Sequence, residues 1–158
     1  MKPHLQLIAS RLSQLERLRA YLLHSTGKIE QCGMLQKSPA VYSLDDSNNL
    51  AAFRMRVSEF QEHLGKLLAS IAREEEVEYS GFSDVLAFAE KSGIIASESV
   101  WKEIREIRNQ INHEYEDDPD ALTVILKKMV TCIPALLEWE TGARNYCAAK
   151  FGLDDSAS

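Results

Sequence analysis

The stretch "IREIRNQINHEY", residues 104 to 115, gathers the side chains of this chain that are best suited to chemistry. It holds Arg105, Arg108, Asn109, Gln110, Asn112, His113 and Tyr115 within about three helical turns. An imidazole exchanges protons near neutral pH. A guanidinium is a planar fork of donors that matches the oxygens of a carboxylate or a phosphate. Proton transfer beside a held anion is the chemistry these types suggest. The plainer alternative is a solvated helix face, where isolated Arg, Asn and His are common. Residue types alone leave both open.

Helical geometry sharpens the choice. At 100° per residue, Val100, Ile104, Ile107 and Ile111 fall within about 60° of one another and predict the buried stripe. Arg108 lies about 70° from the middle of that stripe, on its shoulder. Asn109 and His113, four apart, share a face nearly opposite the core. Tyr115 falls about 20° from Arg108 if the helix extends that far.

Other chemistries find less support. His4, His24 and His63 have no acidic or cysteine partners at metal-ligand spacing, so no metal site is expected. Neither G-x-x-x-x-G-K-[ST] nor G-x-G-x-x-G occurs, so a phosphate-cradling loop and a nucleotide cofactor are not expected. A histidine phosphotransfer bundle is disfavoured, because Asn112 and Glu114 flank His113 and no basic or glycine-rich run follows. Cys32, Cys132 and Cys147 are odd in number and lack a C-x-x-C pair, which suggests packing thiols in a reducing, cytoplasmic setting. The net charge of −6 argues against passive coating of nucleic acid and against long-range steering toward it, and no DNA partner is expected. It leaves room for a small local RNA site.

The elements that must position these residues read as helices. A chain of 158 residues with 45% hydrophobic and 27% charged residues fits one ordinary globular domain. That domain is expected over 1–150, with 151–158 a disordered tail. Leu5, Ile8, Leu12, Leu15, Leu18 and Leu22 predict a first helix from about 4 to 24. Its interspersed charges mark it as no signal peptide, and no apolar run is long enough to span a membrane. A long loop follows, then N-cap candidates in "SLDDSNN" and a second helix from about 47 to 73. Ser83 is the expected cap of a short helix, "DVLAFAEKS", stopped by Gly93. The motif helix begins near "ASESVWKE" with Ser97 as its cap and is expected to fray near Glu116. Pro119 opens a last helix that reaches about 150, with Pro134 expected to kink it. The sum is an all-α protein, an antiparallel four-helix bundle with an additional short helix.

The order Arg108, Asn109, three residues, His113, one residue, Tyr115 matches an R-N-x-x-x-H-x-Y signature. With "YSGFSDVLAFAEKSGII" before it, the chain over about 47–140 resembles the HEPN domains of HepT-like toxins from HEPN/MNT toxin–antitoxin pairs. The resemblance implies a HEPN-like bundle acting as a homodimeric, metal-independent endoribonuclease, with two motif helices facing across a two-fold axis. RNA carries its own nucleophile, the 2′-hydroxyl, so such an enzyme supplies only proton transfer and stabilisation of the phosphorane. On that basis His113 is the general base or acid, Arg108 the phosphate clamp, and Asn109 the residue that orients ring or phosphate. Two copies supply two histidines. Tyr115 is implied as the acceptor of AMP from a cognate MNT-type nucleotidyltransferase antitoxin, a modification that places charge in the pocket of the scissile phosphate. Some HEPN domains are inactive docking modules for the nucleotidyltransferase. "HEYEDDPD", with five carboxylates within seven residues after His113, would repel RNA and keeps that alternative open.

Overall fold

The computed structural model describes residues 2–113 and 117–153. Among them the chain is all-α without strands, and the helices follow one another as α1 (Pro3–Gln31), α2 (Leu44–Glu74), α3 (Phe82–Lys91), α4 (Glu98–Ile111) and α5 (Pro119–Phe151). A 3-10 turn, Pro39–Val41, lies in the link between α1 and α2.

Side-chain contacts fix the direction of each helix. Arg11 donates to Ser70, Arg56 stacks over Tyr21, and Asn49 reaches Cys32, so α1 and α2 run antiparallel. Arg144 donates to the Leu12 carbonyl and Arg19 to that of Leu137, which sets α5 antiparallel to α1. Gln61 meets Trp101 and Ser58 meets Asn112, which sets α4 antiparallel to α2. The result is an up-down-up-down bundle with α3 as the additional short element.

Its core is built from the apolar stripes of the helices, with Ile8, Leu15, Phe53, Phe60 and Trp101 among its large buried side chains. The salt bridge of Glu140, which is 2% exposed, to Arg19 joins α1 to α5 at its edge, and a second bridge, to Arg144, lies within α5. No helix of the described chain is long and apolar enough to cross a membrane.

Several boundaries differ from the sequence expectation, each for a local reason. α1 runs seven residues past 24, to Gln31, because Ser25, Thr26 and Ile29 continue the buried stripe. The Thr26 hydroxyl is satisfied by the Leu22 carbonyl at 2.8 Å, so it can be buried inside a helix. Gly33 at φ +62° ends α1, with the Met34 amide donating to Ile29. α2 begins at Leu44 rather than 47, because Ser43 and Asp46 form a reciprocal capping box at 3.0 Å in each direction. Lys37 bonds the same Asp46 carboxylate at 2.7 Å.

Ser83 does not cap α3. Gly81 holds that position, and Asp84 ties down the entry by accepting from Ser80. Gly93, at φ +76°, does terminate α3. Ser97 does cap α4, accepting from the Val100 amide at 3.2 Å. α5 opens on Pro119 behind the Asp118 cap and continues through Pro134. Phe151, placed in the tail by the sequence reading, is the last residue of α5. Its ring meets Tyr146 with centroids 6.0 Å apart. The expected disordered stretch "DDSAS" lies outside the described residues.

Candidate functional site

α4 carries the site, and its seating decides which side chains reach it. Trp101, Ile104, Ile107 and Ile111 form the buried stripe. Val100, expected there, is 36% exposed, and Trp101 replaces it by stacking on Trp139 of α5 with centroids 5.9 Å apart. An indole buries more apolar surface than a valine, so the helix turns its aromatic inward.

That seating leaves Arg108 half-buried on the shoulder, as its angle predicts, with Asn109 exposed beside it. Burial pushes the Arg108 guanidinium below its ordinary range, and repulsion from Arg105 adds to this, while Glu62 partly offsets it. Among the described residues no ion pair is made to Arg105 or Arg108. Two neighbouring guanidiniums that make no ion pair among the described residues offer an anion site, with the more distant Glu62 as a partial counter-charge.

Both arginines open into a groove of about 460 Å³ between α2, α3 and α4. Arg105, Arg108, Asn109 and Asn112 form the α4 wall, while α2 and α3 supply Gln61, Gly65, Lys66 and Phe82 opposite. Lys66 pairs with Glu62 one turn earlier at 3.5 Å. The volume is in the range of small-ligand sites.

The C-terminal half of the motif departs from the helical expectation. α4 stops at Ile111, short of Glu116. Asn112 is the C-cap, its side chain donating to Ser58 at 3.4 Å. His113 lies in a bend beyond the helix, exposed, with its amide donating to the Gln110 carbonyl at 3.1 Å. The four-residue spacing therefore does not put Asn109 and His113 on one helical face. His113 stands exposed past the end of α4. Tyr115, the expected AMP acceptor, and Glu116 lie outside the described residues.

The structure thus brings Arg108 and Asn109 together on one wall with Arg105 and Asn112 of the same helix, and adds Gln61, Lys66 and Phe82 from α2 and α3, which spacing along one helix does not show. One sequence signal did point there. Gly65 interrupts the apolar pattern of α2, and a glycine inside a helix costs about 1 kcal/mol unless something must approach closely. The approaching group is Phe82, whose Cζ would stand 3.1 Å from a Cβ at position 65.

Among the described residues, no three His, Cys, Asp or Glu side chains gather as a metal site would require. The three cysteines are free thiols, Cys147 buried and the other two half-buried. Comparison of the chain with models of known families, with characterised proteins and with solved structures returns no match.

Proposed function

We propose that the chain is the toxin of a HEPN/MNT-type pair, a metal-independent endoribonuclease whose site is completed by a second copy. The observation that carries this reading is the pairing of Arg105 and Arg108 on α4, neither in an ion pair among the described residues, with an exposed His113 just past its end. The guanidiniums hold a backbone phosphate. One histidine takes the proton of the 2′-hydroxyl as its oxygen attacks phosphorus. The 5′-oxygen leaves with a proton from the histidine of the second copy, and a 2′,3′-cyclic phosphate remains. Asn109 and Asn112 supply amides to orient the phosphate beside them.

Neutralisation follows from the same site. The Tyr115 phenolic oxygen attacks the α-phosphorus of ATP on the cognate nucleotidyltransferase, and pyrophosphate departs. The adenylate left on the chain adds a phosphodiester charge close in sequence to Arg108, where the scissile phosphate would sit.

The test is cleavage of end-labelled RNA by the purified full chain in excess EDTA. Cyclic or 3′-phosphate ends are expected, and His113→Ala should lower the rate on the order of 10²-fold or more. Because His113 is exposed and outside the helix, that variant should keep the circular dichroism of the parent. Ends bearing a 3′-hydroxyl, or loss of activity to EDTA, would overturn the mechanism. The acidic run that includes Asp117, Asp118 and Asp120 favours a second reading, an inactive docking module for the nucleotidyltransferase. Adenylation by the partner without any RNA cleavage would select it.

A further inference from the structure

The α2 and α3 walls of the groove contain features that the motif does not explain. Gln61 is 2% exposed, and its Nε2 donates to the Trp101 carbonyl at 3.2 Å. Its Oε1 is buried and receives no hydrogen bond among the described residues. Buried amide oxygens are almost always satisfied, so an orphan in the lining of a groove marks a place where a donor belongs.

Gly65, one turn further along α2, keeps the space beside the rings open. A Cβ there would meet Phe82 Cζ at 3.1 Å and Trp101 Cζ2 at 3.5 Å. Phe82 is only half-buried, and Trp101 is held in place by stacking on Trp139 at an interplanar angle of 21°. Around these rings stand the cations Arg105, Arg108 and Lys66, with Glu62 as the acid among the lining residues and already paired with Lys66.

An aromatic floor, a buried acceptor and a cationic mouth within one groove describe a flat heteroaromatic with an edge N–H, joined to an anion. A nucleotide has that arrangement. Stacking on aromatic side chains is how single-stranded nucleic acids gain affinity beyond their phosphates.

We infer that the groove is a base-binding subsite, in which one nucleobase of an RNA strand rests on Phe82 with an N–H toward Gln61, while Arg105 and Arg108 grip the adjoining phosphate. Gln61, Gly65 and Phe82 are then specificity-determining residues outside the motif. The inference rests on the RNA reading proposed above for its strand but not for its cleavage, so the two can fail separately.

The experiment measures fluorescence anisotropy of the full chain with labelled 2′-O-methyl tetranucleotides, which lack the attacking hydroxyl. A matched oligomer with abasic positions reports phosphate gripping alone. The parent protein should bind the base-bearing oligomer roughly ten-fold more tightly than the abasic one. Phe82→Leu should lose most of that preference while keeping its affinity for the abasic oligomer. Gly65→Ala, which narrows the groove without a glycine's helix penalty, should reduce the preference while the protein stays folded.

Equal binding of base-bearing and abasic oligomers by the parent would overturn the subsite, as would a preference unchanged in both variants. A nucleoside monophosphate that competes as well as the tetranucleotide would overturn the assignment to a strand. Base preference in a protein that cleaves no RNA would uphold the subsite and remove the nuclease. Cleavage without base preference would do the reverse.

Discussion

Arg108, half-buried, and Asn109, exposed beside it, stand together on the α4 wall of the groove. Their place relative to the apolar stripe requires only that a helix exist there, and it does. His113 was less legible, because a spacing argument assumes the helix continues, and α4 ends at Ile111. Gln61 and Phe82 gave no local signal, since they reach the groove only through the packing of α2 and α3 on α4. Two other residues carry a pH signature. Burial pushes the Cys147 thiol up to about 12, and burial followed by the hydrogen bond to Glu75 pushes the Tyr146 phenol up to about 12. Both groups hold their protons more tightly folded than unfolded. Their contribution to stability is therefore complete at neutral pH and is lost as pH rises from the ordinary thiol range toward about 12. Urea midpoints should be flat through neutral pH and then fall in that alkaline window. Tyr146→Phe should make the fall shallower, and a midpoint with the same alkaline slope in both proteins would contradict the assignment.

Helix existence and type were legible at the scale of elements, while ends were not. α1 continued past 24 on buried Ser25 and Thr26, whose polarity looks like a stop until the Leu22 carbonyl is seen to satisfy the hydroxyl of Thr26. α4 exchanged Val100 for Trp101 because a partner ring waits on α5. Glycines show how far tertiary approach overrides propensity. A Cβ at Gly142 would stand 2.7 Å from the Ile94 carbonyl oxygen, in the backbone turn that closes α3. At Gly27 the nearest atom is the flexible Gln31 Nε2, 3.9 Å away. Both glycines lie inside helices, where alanine gains about 1 kcal/mol in propensity. Gly27→Ala should therefore raise the melting temperature. Gly142→Ala should lower it, because overpacking against backbone costs about 1–3 kcal/mol and outweighs the gain. Equal shifts in calorimetry would show that α5 can move away from Ile94.

For the whole molecule, the bundle was legible because long periodic stripes have few ways to hide their apolar faces, even with a long link between the first two helices. What a single chain does not display is its proposed partner copy. One motif provides one histidine, so the composite site proposed above needs two chains with the shoulders of their 97–115 segments in contact. Light scattering should give twice the chain mass, and a stable monomer that still cleaves RNA would refute the pairing. The stacked indoles of Trp101 and Trp139 have an optical consequence. They are the only two tryptophans of the chain, 2% and 4% exposed, with rings 5.9 Å apart. Two chromophores held that close share their electronic transitions, so the tryptophan bands of the near-ultraviolet dichroism report the seam between α4 and α5. Loosening of that seam would erase the signal while far-ultraviolet helicity persisted, which gives the protein an internal gauge of fixed packing as distinct from mere helix content.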